Sequence, residues 1–79
     1  MRINVIYFAV FKDKAGLSSE VIDFDGKTTK QLFLYISERY QFLDSQANCK
    51  VAVNNVLVDW DYNLSEKDEV LLFPPVAGG

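Results

Sequence analysis

The 79-residue sequence contains no histidine, and it has a single cysteine, a single tryptophan, two prolines and four glycines. Without imidazole it can form neither a Ser-His nor a Cys-His nucleophile pair, and no histidine-ligated zinc site. The lone Cys49 excludes an internal disulfide. The glycines, Gly16, Gly26, Gly78 and Gly79, do not compose a phosphate-binding loop. No apolar run approaches the roughly 20 residues of a membrane span. Arg2 and Asn4 interrupt the opening apolar residues, so no secretory signal is read there. Basic residues are also scarce: 8 Lys and Arg against 11 Asp and Glu give a formal net charge of -3. That balance argues against nucleic acid or an anionic membrane as partner, and it suits a basic surface on another protein. A cytoplasmic chain that binds no cofactor or metal of its own, and joins chemistry whose pocket lies elsewhere, is the expectation.

What is present suffices for one small domain. Hydrophobic residues make up 49% of the chain and aromatics 14%. A domain of this size buries roughly 60–65% of its unfolded surface, which is viable but marginal. Residues 1–75 are assigned to that domain and 76–79 to a flexible C-terminal diglycine tail.

Arg2 to Ala9 alternates with Ile3, Val5 and Tyr7 on one face and Asn4, Ile6 and Phe8 on the other, a strand apolar on both sides at its end. Val10 to Gly16 is expected as a short turn segment with room for one helical turn, closed by Gly16. Glu20 to Phe24 is a second strand, followed by an Asp25-Gly26 turn. Thr28 with Gln31 three residues later has capping-box spacing and opens a helix. Its core stripe is Leu32, Phe33, Ile36 and Tyr40, and it ends between Arg39 and Phe42. Leu34 and Tyr35 widen the apolar arc without an evident role. An irregular connection then runs to Asn48.

Cys49, Val51 and Val53 alternate with Lys50, Ala52 and Asn54 in a third strand. A thiol on a valine face reads as a small core residue and not as a nucleophile. Asn54-Asn55 suits a tight hairpin, since asparagine tolerates positive φ. Val56 to Val58 returns, Leu64 plugs the loop Asp59 to Lys67, and Val70 to Phe73 forms the last strand. Strand, strand, helix and three strands make an α+β domain, with one main helix on one face of a mixed sheet. Both the first and last strands are apolar on both faces, which places them side by side and parallel in the middle. The ubiquitin-like β-grasp has this arrangement.

With Val5, Tyr7, Val70 and Leu72 towards the helix, Ile6, Phe8, Leu71 and Phe73 face away, and Leu57 can join them. Two outcomes are open. Either segment 10–16 or 41–47 folds over this second face, or it remains an apolar patch for a partner. The end of the chain bears on the choice. Pro74 and Pro75 cannot donate to a ladder and stop the strand. Beyond them Val76-Ala77-Gly78-Gly79 has little side chain to bury. It is either a frayed terminus or a slender probe, aimed by the Pro-Pro spacer and thin enough to enter a partner's active site.

Several stretches resemble the small, sulfur-carrier subunit of molybdopterin synthase, the MoaD family of ubiquitin-like sulfur carriers. They are Phe8-Ala9 with Lys12-Asp13 and Gly16, then Ala52-Val53-Asn54, Leu64 with Asp68-Glu69-Val70, and the ending Phe73-Pro74-Pro75-Val76-Ala77-Gly78-Gly79. The likeness runs the full length, and the ending is its most specific part. The departures are an extra residue near the start and the apolar pair Phe33-Leu34. The resemblance implies a carrier cycle on Gly79. An E1-like adenylyltransferase activates the terminal carboxylate with ATP, and a sulfur donor system converts it to a thiocarboxylate. The tail, Pro75, Val76, Ala77 and Gly78, then inserts into the large synthase subunit, which supplies the basic pocket. Sulfur passes to cyclic pyranopterin monophosphate within a heterotetramer. Phe8, Leu57 and Phe73 match the family's apolar docking residues. Three alternatives share some of these features: a carrier for thiamine or tRNA thiolation, a ubiquitin-like protein modifier, and a binding module with an inert tail.

Overall fold

The computed structural model describes residues 1–75. Its elements in chain order are β1 (Arg2–Tyr7), α1 (Ala9–Ala15), β2 (Ser19–Asp23), α2 (Thr29–Tyr40), β3 (Lys50–Val53), β4 (Val56–Val58) and β5 (Glu69–Phe73), with a 3₁₀ turn at Gln46–Asn48. The sheet order is β2-β1-β5-β3-β4. β1 pairs antiparallel with β2 and parallel with β5, while β3 pairs antiparallel with both β5 and β4. The two strands apolar on both faces thus lie side by side near the sheet's centre, as their composition required. This is the expected α+β, ubiquitin-like β-grasp arrangement.

Helix α2 lies on one sheet face for reasons visible in its sequence. The Gln31 amide donates to Thr28 Oγ1 at 3.2 Å, and the Lys27 and Thr28 amides donate to Gln31 Oε1 at 2.7 and 3.1 Å. These bonds satisfy amides that a helix start leaves without partners. Leu32, Phe33 and Ile36 are buried against Ile3, Val5, Tyr7, Val70 and Leu72. Gln41, at φ 58°, ends the helix in the left-handed region, and its amide bonds the Ser37 carbonyl. The apolar Phe33 is therefore a core residue, whereas Leu34 and Tyr35 are exposed. Thr29 is fully buried because its hydroxyl donates to the Asp59 carbonyl at 2.8 Å, tying the 59–67 loop to the helix. Leu64 plugs that loop as expected.

A second polar tie links three elements. The Tyr7 and Tyr40 hydroxyls both donate to Glu20 Oε2, at 2.6 and 2.5 Å, joining β1, α2 and β2. Burial, reinforced by the Glu20 carboxylate, pushes the Tyr7 phenol well above its ordinary range.

Several boundaries differ from the sequence reading, β3 being shorter (Lys50–Val53) and β5 starting one residue earlier, at Glu69. The segment after β1 is a helix of seven residues and not a short turn. The cause is tertiary: Phe11 is buried and stacks on Phe42 with ring centroids 4.3 Å apart. Gly16, at φ 78°, closes α1 as its sequence suggested. β1 stops at Tyr7 instead of Ala9, because Phe8 caps α1 and Ala9 adopts φ 50°. β2 runs one residue earlier at each end; Phe24, just past it, still exchanges hydrogen bonds with Met1 while its ring lies over Gly26. A Cβ at Gly26 would lie 2.3 Å from the tip of that ring, so glycine serves close approach here; the turn expected at Asp25-Gly26 is not formed, and residues 24–27 run on irregularly.

Candidate docking site

The register of the sheet assembles the second face. Leu57 pairs with Ala52, Ala52 with Leu71, and Leu71 with Ile6, which sets one apolar row across four strands. Paired residues share a face, and residues two apart on one strand do too. Phe73 therefore follows Leu71 on this side, towards the tail. In the other direction β1 and β5 present Asn4 and Glu69, which pair with each other. On the two central strands the apolar residues thus lie towards the end from which the tail departs, with Lys50 opposite Phe73 on the same face and exposed Val21 opposite Asn4.

Of the two outcomes left open by the sequence, the structure favours the uncovered face. Both candidate covers turn the other way: Phe11 of α1 and Phe42 of the following connection join the core beneath α2. Phe8 is 38% exposed and Leu57 68%, while Ile6, Leu71 and Phe73 are half-buried.

Phe8 and Phe73 come from different elements and stack face to face, with centroids 5.0 Å apart and planes at 14°. Phe8 is held by its backbone. It is extended, at φ -126° and ψ 150°, and its carbonyl accepts from the Phe11 amide at 3.0 Å. The start of α1 therefore fixes the position from which this ring projects. An aromatic pair of this kind is worth about 0.5–1.5 kcal/mol beyond its buried area, enough to hold two half-exposed rings in one preorganised plate.

Beside the plate lies a groove of about 640 Å³, lined by Phe8 to Val10, Asp44 and Phe73 to Pro75. Sequence reasoning missed Ala9, Val10 and Asp44 as parts of this site. Ala9 lies at the end of a segment read as a strand, Val10 in one read as a turn, and Asp44 in an irregular connection with no periodicity to expose it. Of the residues singled out from sequence, Phe8, Phe73 and Pro75 come together at the groove, and Leu57 stands at the far end of the same apolar row. Val76, Ala77, Gly78 and Gly79 lie outside the described residues.

Asn54 and Asp68, part of the resemblance without a stated reason, acquire one. Asn54 Nδ2 donates to Asp68 Oδ1 at 3.0 Å, the Glu69 amide donates to Asn54 Oδ1 at 3.0 Å, and the Ser65 amide donates to Asp68 Oδ2 at 2.8 Å. This clasp joins the β3–β4 turn to the start of β5. Asn54 and Asn55, at φ 51° and 71°, have the left-handed pair expected of a two-residue hairpin turn. Cys49 is buried, and its thiol donates to the Ser45 carbonyl at 3.3 Å. Burial and the negative field of Asp44 push this thiol up to about 11, which suits packing and not nucleophilic work.

These features match known proteins throughout the chain. The Escherichia coli molybdopterin synthase sulfur carrier subunit is 32% identical over 98% of this chain and 99% of its own length. Subunit 1 and 2 of the molybdopterin-converting factor from Helicobacter pylori were solved as a protein–protein complex; the matching chain aligns over 100% of both chains, at 26% identity and a TM-score of 0.68. SAMP1 from Haloferax volcanii, at 24% identity, shares the fold alone, with a TM-score of 0.80 over 100% of both chains. The ThiS family model covers residues 5–79. The chain belongs to the ThiS family, and the sulfur-carrier resemblance noted in its sequence holds over its whole length.

Proposed function

We propose that this protein is the sulfur-carrier subunit of a molybdopterin synthase, and that it works by docking its apolar sheet face on the large subunit while its C-terminal glycine enters that subunit's active site. One observation carries most weight: the apolar row and the Phe8–Phe73 plate end at Pro74 and Pro75, the root of the tail. A surface that docks there delivers the tail to whatever lies beneath it. The whole-length similarity to a molybdopterin synthase sulfur carrier subunit supplies the chemistry.

In this reading an E1-like enzyme transfers AMP from ATP to the Gly79 carboxylate and releases pyrophosphate. A hydrosulfide equivalent from the donor system attacks the acyl adenylate; the carbon–sulfur bond forms, the acyl–phosphate bond breaks, AMP leaves and a thiocarboxylate remains. In the large subunit the thiocarboxylate sulfur attacks cyclic pyranopterin monophosphate. Water then cleaves the acyl–sulfur bond and regenerates the carboxylate. Activation is needed because a carboxylate is a poor acyl donor. The thiocarboxylate is useful because sulfur is the better nucleophile and remains ionised near neutral pH. The domain's own task is to bind, to aim and to stay folded.

Intact-mass analysis after incubation with ATP, the activating enzyme and a sulfur source tests the carrier step. The expected product is heavier by about 16 mass units, sulfur for oxygen at Gly79. An unchanged mass, with the activating enzyme active on another carrier, would contradict it.

A further inference from the structure

The groove at the root of the tail is apolar on nearly every side, yet Asp44 lines it. Its other lining residues, Phe8 to Val10 and Phe73 to Pro75, carry no charge. Asp44 is half-buried. Among the described residues its carboxylate forms no ion pair and accepts no hydrogen bond. Lys50, which stands opposite Phe73 in the sheet register, makes no ion pair with it. A carboxylate beside two stacked rings, in no ion pair among the described residues, is available to a partner's cation.

We propose that this groove receives an arginine side chain of the large synthase subunit, with the guanidinium paired to Asp44 and its plane against the Phe8–Phe73 aromatics. The assignment rests on the proposed function and adds a specific polar contact to it. Guanidinium fits better than ammonium, because it is planar, weakly hydrated, stacks on aromatic faces and pairs with a carboxylate through two parallel donors. Charge complementarity points the same way, since the chain is net negative and the pocket for an anionic tail must be basic. The apolar row provides area but little direction. An ion pair beside the last strand fixes the rotation of the domain on its partner, and therefore where the tail enters.

Asp44 lies outside helices and strands, so its isosteric replacement leaves the fold intact, and thermal melting checks this. Binding of the full-length wild type, Asp44→Asn, Asp44→Lys and Phe73→Ala to the purified large subunit is measured by calorimetry at low and high salt. The expected results are a five- to tenfold weaker Kd for Asp44→Asn at low salt, a larger loss for Asp44→Lys, and a reduced salt dependence in both. Phe73→Ala weakens binding while keeping the wild-type salt dependence. Equal Kd and equal salt dependence for wild type and Asp44→Asn would overturn the proposed contact and leave the carrier function standing. If the wild type itself fails to bind the large subunit, the functional reading falls, and the contact with it.

Discussion

Phe8 and Phe73 lie 5.0 Å apart in parallel planes, although 64 positions separate them in the chain and neither ring belongs to the core beneath α2. Phe73 ends β5, whereas Phe8 lies between β1 and α1, and only the parallel pairing of β1 with β5 brings them together. In the proposed function the pair matters little to folding and much to docking. Phe73→Ala and Phe8→Ala are each expected to weaken binding to the large subunit by about 2 kcal/mol, some 30-fold, as central aromatic anchors do. Melting temperature should shift by only a few degrees. Calorimetric titration beside a thermal melt separates the two effects; unaltered binding would exclude the sheet face as the interface.

The Asn54–Asp68 clasp has the opposite profile. Asn54→Ala removes two side-chain hydrogen bonds, leaves Asp68 Oδ1 short of a partner and puts a Cβ residue at φ 51°. The expected loss is about 2–4 kcal/mol in urea unfolding. Asn54→Gly should recover part of it, because glycine adopts that φ freely. If both variants unfold at the wild-type urea concentration, the clasp does not hold β5 in place.

The shared carboxylate Glu20 gives a pH signature. The folded Tyr7 and Tyr40 phenols are raised above their ordinary range, Tyr7 mainly by burial and Tyr40 mainly by its bond to Glu20. A raised folded value means the native state retains protons that the unfolded chain gives up near pH 10. Their contribution is therefore complete below about pH 10 and declines above it. Urea unfolding across that range should show a steeper loss for the wild type than for Tyr7→Phe. Parallel curves would mean that Tyr7 ionises equally in both states.

Cys49 should be chemically quiet. With the thiol raised to about 11 by burial and by Asp44, alkylation of the native chain at pH 8 should be far slower than in urea. Cys49→Ser should carry sulfur as well as the wild type does. Rapid native alkylation, or loss of sulfur transfer in that variant, would give the thiol a role that its position does not suggest.

Most of the architecture could be read from periodicity. The capping residues Thr28 and Gln31 marked the helix start, the Asn54-Asn55 pair marked the hairpin, and the two-sided apolar strands marked the sheet's centre. What could not be read depended on contacts distant in sequence. Helix α1 exists because Phe11 meets Phe42, and no local pattern in residues 9–15 announces that. The Phe8 and Phe73 rings could be placed on one face, but their stacking follows from the end of β1 one residue before Phe8. Asp44 had no signal at all, since the groove it lines is made by segments that meet only in the folded chain. The tail glycines lie outside the described residues, and the function proposed for them rests on the resemblance and on their lack of side chains.

The most direct test is a sulfur-transfer assay with purified large subunit, pyranopterin substrate and the chain thiocarboxylated at Gly79. The prediction is formation of the dithiolene product by the loaded wild type and none by a chain lacking Gly79, with both binding the large subunit equally well. Product formation by the shortened chain, or none from the loaded wild type once bound, would contradict the account.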